Sequence, residues 1–351
     1  MTLPLTSKIL SPEEIAVRAG EEIAFLRLPE PGVFAERALR LRRLAEGHAM
    51  RDYLLFVAEL AQAQHEQSKV LPQFVQPDTA QIQTAAEAGL PLLTADVWAR
   101  DPQWRELLRR LLQDLSTRLP EGGAREATEQ LSAASDEVLE AQASRLLNGV
   151  MFGLDLGTAP LVAAALQLYF TGLVWQTQAV FDALPKPSPS ALAPFGRIDD
   201  ALACPCCGSR PVASITRIGA EGSGFRYLAC SLCSTQWHYV RIKCTHCQST
   251  QGISFQNLLA HDDATDGVAA KPAKSAQADA EQSVQVETCS VCQHYLKIVH
   301  MERDNQVEPM ADDLASLTLD LLVADSGLAR QGVNLMLLFG DPDTPPTGET
   351  H

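Results

Sequence analysis

The sequence predicts an α plus small β fold: an N-terminal α-helical bundle, two tandem rubredoxin-like (zinc-ribbon) modules, and a C-terminal helix. Three observations carry that reading. Apolar residues recur at helical spacing through the first half, and no alternating strand pattern of useful length precedes residue 195. All nine cysteines lie between Cys204 and Cys292, eight of them in four Cys-x-x-Cys pairs. Between these regions Pro185, Pro187, Pro189 and Pro194 interrupt the chain, where a helix cannot continue and an extended connection is favoured.

Taken in order, Ser11-Pro12-Glu13-Glu14 carries the N-cap serine, N1 proline and capping glutamate of a helix start. Phe34, Ala38, Leu41 and Ala45 form the next stripe. Arg37, Arg40, Arg42 and Arg43 are read as a solvated or salt-bridged face. After Gly47, a stripe of Tyr53, Phe56, Val57, Leu60 and Ala61 marks a second helix. Asp101-Pro102 opens a third, lined by Trp104, Leu107, Leu108, Leu111, Leu112 and Leu115. Ala124 to Asn148 reads as one or two helices, interrupted near Ser132 to Ser135. Pro160 to Ala183 is apolar on most sides, which places it at the bundle centre.

The predicted division is 1–184 helical, 185–200 linker, 201–243 first metal module, 244–308 second module and 309–351 C-terminal helix and tail. In the modules, strands are expected at Val212 to Arg217, Phe225 to Leu228, Thr235 to Ile242, Ile253 to Gln256, Val284 to Glu287 and Tyr295 to Val299. The stretch 261–283, almost devoid of apolar residues, reads as a disordered insertion. Ala311 to Ser326 is expected to form the last helix, with Asp312, Asp313 and Asp320 on its solvated face and Gly327 ending it.

Composition limits the function. Met1 to Leu10 has no basic region and no long apolar run, so no secretory signal is read there. The most apolar stretch, Leu161 to Trp175, is interrupted by Gln167, Tyr169, Thr171 and Gly172 and falls short of the roughly 20 residues of a membrane span. A cytoplasmic protein with reduced thiols is therefore expected. A formal charge of −15 disfavours nucleic acid, whose binding relies on clustered Lys and Arg.

A two-residue gap lets both sulfurs of a knuckle face one ion, so four knuckles make two tetrahedral sites. Between Cys233 and Cys244 the run Gln236 to Ile242 contains no turn former. Eight strand residues at about 3.3 Å each would hold those knuckles roughly 26 Å apart. Sequential pairing is therefore expected: Cys204, Cys207, Cys230 and Cys233 in site one, and Cys244, Cys247, Cys289 and Cys292 in site two. Interleaved pairing is the surviving alternative. Four thiolates suit Zn or Fe equally, and Cys204-Pro205-Cys206-Cys207-Gly208 has the Pro and Gly of a rubredoxin-type knuckle. Cys206 either fills a variable knuckle position or is a reactive thiol beside the metal. His238, His246 and His294 are read as supporting or surface residues, and Trp237 and Tyr239 as core. No catalytic motif is found, and a closed four-thiolate site leaves no position for substrate, so an enzyme is not expected.

These features together resemble the formate dehydrogenase accessory protein FdhE family. The resemblance runs from about residue 28 to 340, through LPEPGVFAERALRLRRLAEGH at Leu28 to His48, DYLLFVAELAQAQ at Asp52 to Gln64, and CPCCGSRPVAS from Cys204. RYLACSLCSTQWHYVRIKCTHC from Arg226, CSVCQHYLKIVHMERD from Cys289 and VEPMADDLASLTLDLLVADSG at Val307 to Gly327 complete it. The resemblance implies that the eight knuckle cysteines are metal ligands. It also implies a cytoplasmic protein required for active respiratory formate dehydrogenase, which binds the enzyme's molybdenum- or tungsten-containing catalytic subunit before export. Cys206 and the long polar insertion depart from the pattern. A redox protein with iron in the sites and a nucleic-acid-binding zinc ribbon are the competing readings.

Overall fold

The computed structural model describes residues 23–184, 192–219, 222–256, 283–338 and 342–343. The helix start at Ser11, the prolines at 185, 187 and 189, the polar stretch from His261 to residue 282 and most of the tail lie outside these residues.

The helices are α1 (Val33–Leu44), α2 (Arg51–Ser68), α3 (Thr79–Glu87), α4 (Gln103–Arg118), α5 (Gly123–Ser132), α6 (Asp136–Leu147) and α7 (Ala159–Asp182). The expected stripe of α4, from Trp104 to Leu115, is wholly buried, and each such side chain contributes about 1.5–3 kcal/mol of hydrophobic stabilisation. The break before α6 falls where serine chemistry puts it. Ser135 Oγ accepts the Val138 N–H and caps the helix.

Helix α7 runs 24 residues, long and apolar enough by length and composition to cross a membrane, unlike the shorter stretch read from sequence. Within the protein, however, 83% of its most apolar window is buried, so it is the core helix. Two of its polar interruptions are hydrogen-bonded, while Thr171 Oγ1 is buried without a partner among the described residues. Gln167 Nε2 donates to Ser231 O at 2.9 Å, and Tyr169 OH accepts from Trp98 Nε1 and Asp101 N. At Gly172 a Cβ would stand 2.9 Å from Leu71 Cδ1 and 3.1 Å from Phe74, so glycine permits that close approach.

The strands are β1 (Leu26–Arg27), β2 (Pro211–Gly219), β3 (Gly222–Cys230), β4 (Gln236–His238), β5 (Ile253–Gln256), β6 (Val284–Cys289), β7 (His294–His300) and β8 (Ala329–Arg330). They form one sheet in the order β1-β4-β3-β2-β7-β6-β5, with β8 on β7. The two ribbons are therefore joined edge to edge by the parallel pair β2–β7. Two details depart from the sequence reading. Strand β1 precedes residue 195, but two residues show no periodicity, and only pairing with β4 makes them a strand. Strand β4 is shorter than Thr235 to Ile242, because β3 pairs with Gln236–His238 alone. One further rung, Tyr239 N to Arg226 O, follows, and the chain then turns with Lys243 N donating to Val240 O.

The expected single C-terminal helix is two, α8 (Pro309–Ala315) and α9 (Leu317–Ala324), broken at Ser316. Gly327 follows at φ +78°. Its acidic face is not solvated: Asp312, Asp313 and Asp320 are all buried. Arg40 of α1 grips Asp312 with Nε at 3.0 Å and Nη2 at 2.5 Å, and reaches Asp304 at 2.6 Å. Arg37 holds Glu308 at 3.0 Å, whose other oxygen caps α8 through Ala311 N. On the sheet side Lys297 Nζ meets Asp320 at 2.5 Å and Asp313 at 3.3 Å, and Arg330 closes on both carboxylates. Lys297 and Arg330 hold Asp313 below the ordinary carboxylate range, although burial alone would raise it. The helix pair is thus an ionic rivet between α1 and β7.

Lys297→Ala would leave two buried carboxylates with Arg330 as their one remaining cation among the described residues. A loss of about 3–5 kcal/mol in urea unfolding is expected, and a loss below about 1 kcal/mol would contradict the rivet. His300 supplies a pH signature. It is buried between Thr216 Oγ1 and Gln285 Oε1, and burial lowers its pKa to about 4. A depressed histidine stabilises the fold above its unfolded pKa of about 6.5, and that stability is lost as pH falls toward 4, by roughly 3 kcal/mol. Over that window the wild type should lose stability relative to His300→Gln. A gap constant with pH would refute the assignment.

Candidate metal centres

Each knuckle is a tight loop whose second cysteine is followed by a residue in the left-handed region. These are Gly208 (φ +75°), Ser234 (+58°), Gln248 (+59°) and Gln293 (+59°). Glycine takes that conformation freely, and the other three residues pay about 1–2 kcal/mol each. The recurring hydrogen bonds account for the cost. Gly208, Gln248 and Gln293 donate N–H to the carbonyl of the first cysteine, at 2.8, 3.1 and 2.9 Å. Cys204, Cys230 and Cys244 donate N–H to the residue five positions on. Loop N–H groups also point at sulfur: Leu232 N and Cys233 N at Cys230 Sγ, and His246 N at Cys244 Sγ.

The hairpins β2–β3 and β5–β6 bring the knuckles together as sequential pairs, and interleaving is ruled out. In site one Cys204 Sγ lies 3.5 Å from Cys233 Sγ, and Cys207 Sγ 3.4 Å from Cys230 Sγ. In site two Cys244 and Cys292 are 3.7 Å apart, and Cys247 and Cys289 3.8 Å. These spacings are far beyond a disulfide bond of about 2.05 Å. They approach the roughly 3.8 Å edge of a tetrahedron with metal–sulfur bonds near 2.3 Å. Both sets can hold a metal ion.

The sites differ in setting. Site one is fully buried, in the same apolar cluster as the helices. Its first knuckle is hydrogen-bonded to the helical region, Leu93 N to Cys206 O and Ala95 N to Cys207 O. Burial pushes the Cys204 and Cys230 thiols well above their ordinary pKa, so four thiolates there require a cation between them. Cys206 is buried too, with Thr235 Oγ1 3.5 Å from its sulfur. It therefore has the packed setting of an inert thiol, since reactive cysteines are partly exposed. In site two Cys247 is exposed and Cys292 half-buried. Trp237 and Tyr239 are core as expected, and His238 packs edge-on against Tyr227. His246 and His294 stack beside site two, a proximity that sequence spacing gives no means to foresee.

Fold and site together define a helical protein carrying paired four-cysteine ribbon centres able to hold metal. Three family descriptions match along the chain: "FdhE, N-terminal" at residues 23–182, "FdhE, central domain" at 203–241 and "FdhE, C-terminal domain" at 242–337. A Protein FdhE homolog of Cronobacter sakazakii is 37% identical, over 92% of this chain and 94% of its own. One from Pseudomonas aeruginosa is 35% identical, over 96% and 99%. The crystal structure of the FdhE protein from Pseudomonas aeruginosa superposes with a TM-score of 0.68 at 33% identity, covering 89% of this chain and 98% of that one. The chain belongs to the FdhE family.

The difference in burial has a kinetic consequence. When protein loaded with two ions per chain is mixed with a chelator, one ion should leave in a fast phase and the other only slowly. Cys247→Ser should remove the fast-phase ion and spare the slow one. A single phase carrying both ions would contradict the asymmetry.

Proposed function

We propose that the protein is an accessory factor required for active respiratory formate dehydrogenase. It binds the immature catalytic subunit in the cytoplasm and acts by binding, not as an enzyme. Membership of the FdhE family along nearly the whole chain carries this reading. The site chemistry supports it. Cys204, Cys207, Cys230 and Cys233 would hold one ion and Cys244, Cys247, Cys289 and Cys292 another, as Zn or Fe. Four sulfurs fill a tetrahedral shell, so neither set offers a position to substrate. Free, closely packed thiols also suit a reducing compartment. Bound metal would lock the knuckles and fix the shape of the ribbon surface, while iron would add one-electron chemistry at a sulfur shell.

The test pairs association with activity. Under mild, anaerobic purification the tagged protein should retain the formate dehydrogenase catalytic subunit, and a deletion strain should lose respiratory formate oxidation. Clean separation from that subunit, with full activity in the deletion strain, would overturn the proposal. Metal analysis with a visible spectrum separates the zinc form from a redox-active iron form.

A further inference from the structure

Beside site two lie two imidazoles that neither four-cysteine set uses. His246 sits inside the third knuckle, and His294 follows Cys292 by two residues. Their rings stack at 3.6 Å between centroids and 9° between planes. A ligand atom of each and the sulfur of Cys292 all lie within 4.8 Å of one another. His294 Nδ1 is 2.7 Å from Cys292 O. A carbonyl only accepts, so Nδ1 carries the proton and the Nε2 lone pair is left for a ligand. A histidine oriented through its other nitrogen in this way is the usual form of a metal-bound one.

We propose that His246, His294 and Cys292 form a third metal position, joined to site two through the Cys292 sulfur. It rests on the reading that the four-cysteine sets hold metal. Two imidazoles and a thiolate suit a borderline divalent cation such as Zn²⁺. A thiolate keeps lone pairs after one metal bond and can bridge two ions. Stacking keeps the two lone pairs in near-parallel planes, so convergence on one ion requires the exposed His246 ring to turn out of the stack. With His246 exposed and Cys292 and His294 half-buried, water would complete the shell, as in open zinc sites. The third ion is accordingly held more weakly than the two enclosed by four sulfurs. Its place beside the exposed flank of site two makes it a station through which an ion can enter or leave that site.

Equilibrium dialysis of the full-length chain against Zn²⁺, with ions counted per chain, tests this. The wild type should take two ions tightly and a third more weakly. His246→Gln combined with His294→Gln should keep the first two and lose the third. Saturation of the wild type at two, or persistence of the third in the double variant, overturns the third position alone. Fewer than two ions in the wild type overturns the four-cysteine reading and this proposal with it.

Discussion

Four sulfur atoms within 4.8 Å of one another, two pairs of them 3.4 and 3.5 Å apart, in an apolar interior are the constraint on which the rest of the structure depends. As thiols they are crowded polar groups without water, and as thiolates they repel unless a cation sits among them. A structural zinc supplies about 10–16 kcal/mol of folding free energy at neutral pH, as much as the whole net stability of an ordinary domain. Site one is embedded in the core shared with the helices. Its first knuckle accepts N–H bonds from Leu93 and Ala95, and its second is tied to α7 through Gln167. Metal at this point would fasten helices to sheet, not merely close a ribbon.

The ionic contacts play a different part. Buried pairs such as Arg40–Asp312, Lys297–Asp320 and Arg226–Glu287 roughly break even against their desolvation. Their value is positional: each accepts one arrangement of α1, α8–α9 and the two ribbons. Site two is more open, with Cys247 exposed to solvent and two histidines alongside. One centre is built into the core, and the other is presented at the surface.

Much of this was legible in the sequence. The α4 and α7 patterns, the break at Ser135 and the sequential pairing of the knuckles all follow from periodicity, capping and the reach of a strand. The pairing held although its premise was only partly right, since β4 ends at His238 and the chain turns at Val240 to Lys243. Asp312, Asp313 and Asp320 misled because a short acidic helix face looks solvated unless its cations are visible. Those cations, Arg40, Lys297 and Arg330, lie far off in sequence or on a β-strand. Strand β1 and the His246–His294 stack exist only through tertiary pairing. The left-handed Ser234, Gln248 and Gln293 were hidden because only Gly208 advertises that conformation.

X-ray absorption at the metal edge of the protein purified under reducing conditions, combined with metal counting, tests the central claim most directly. Two tightly bound ions per chain, each surrounded by four sulfurs at about 2.3 Å, are expected. Fewer than two ions, a tight-site shell rich in nitrogen or oxygen, or cysteines joined as disulfides would contradict it.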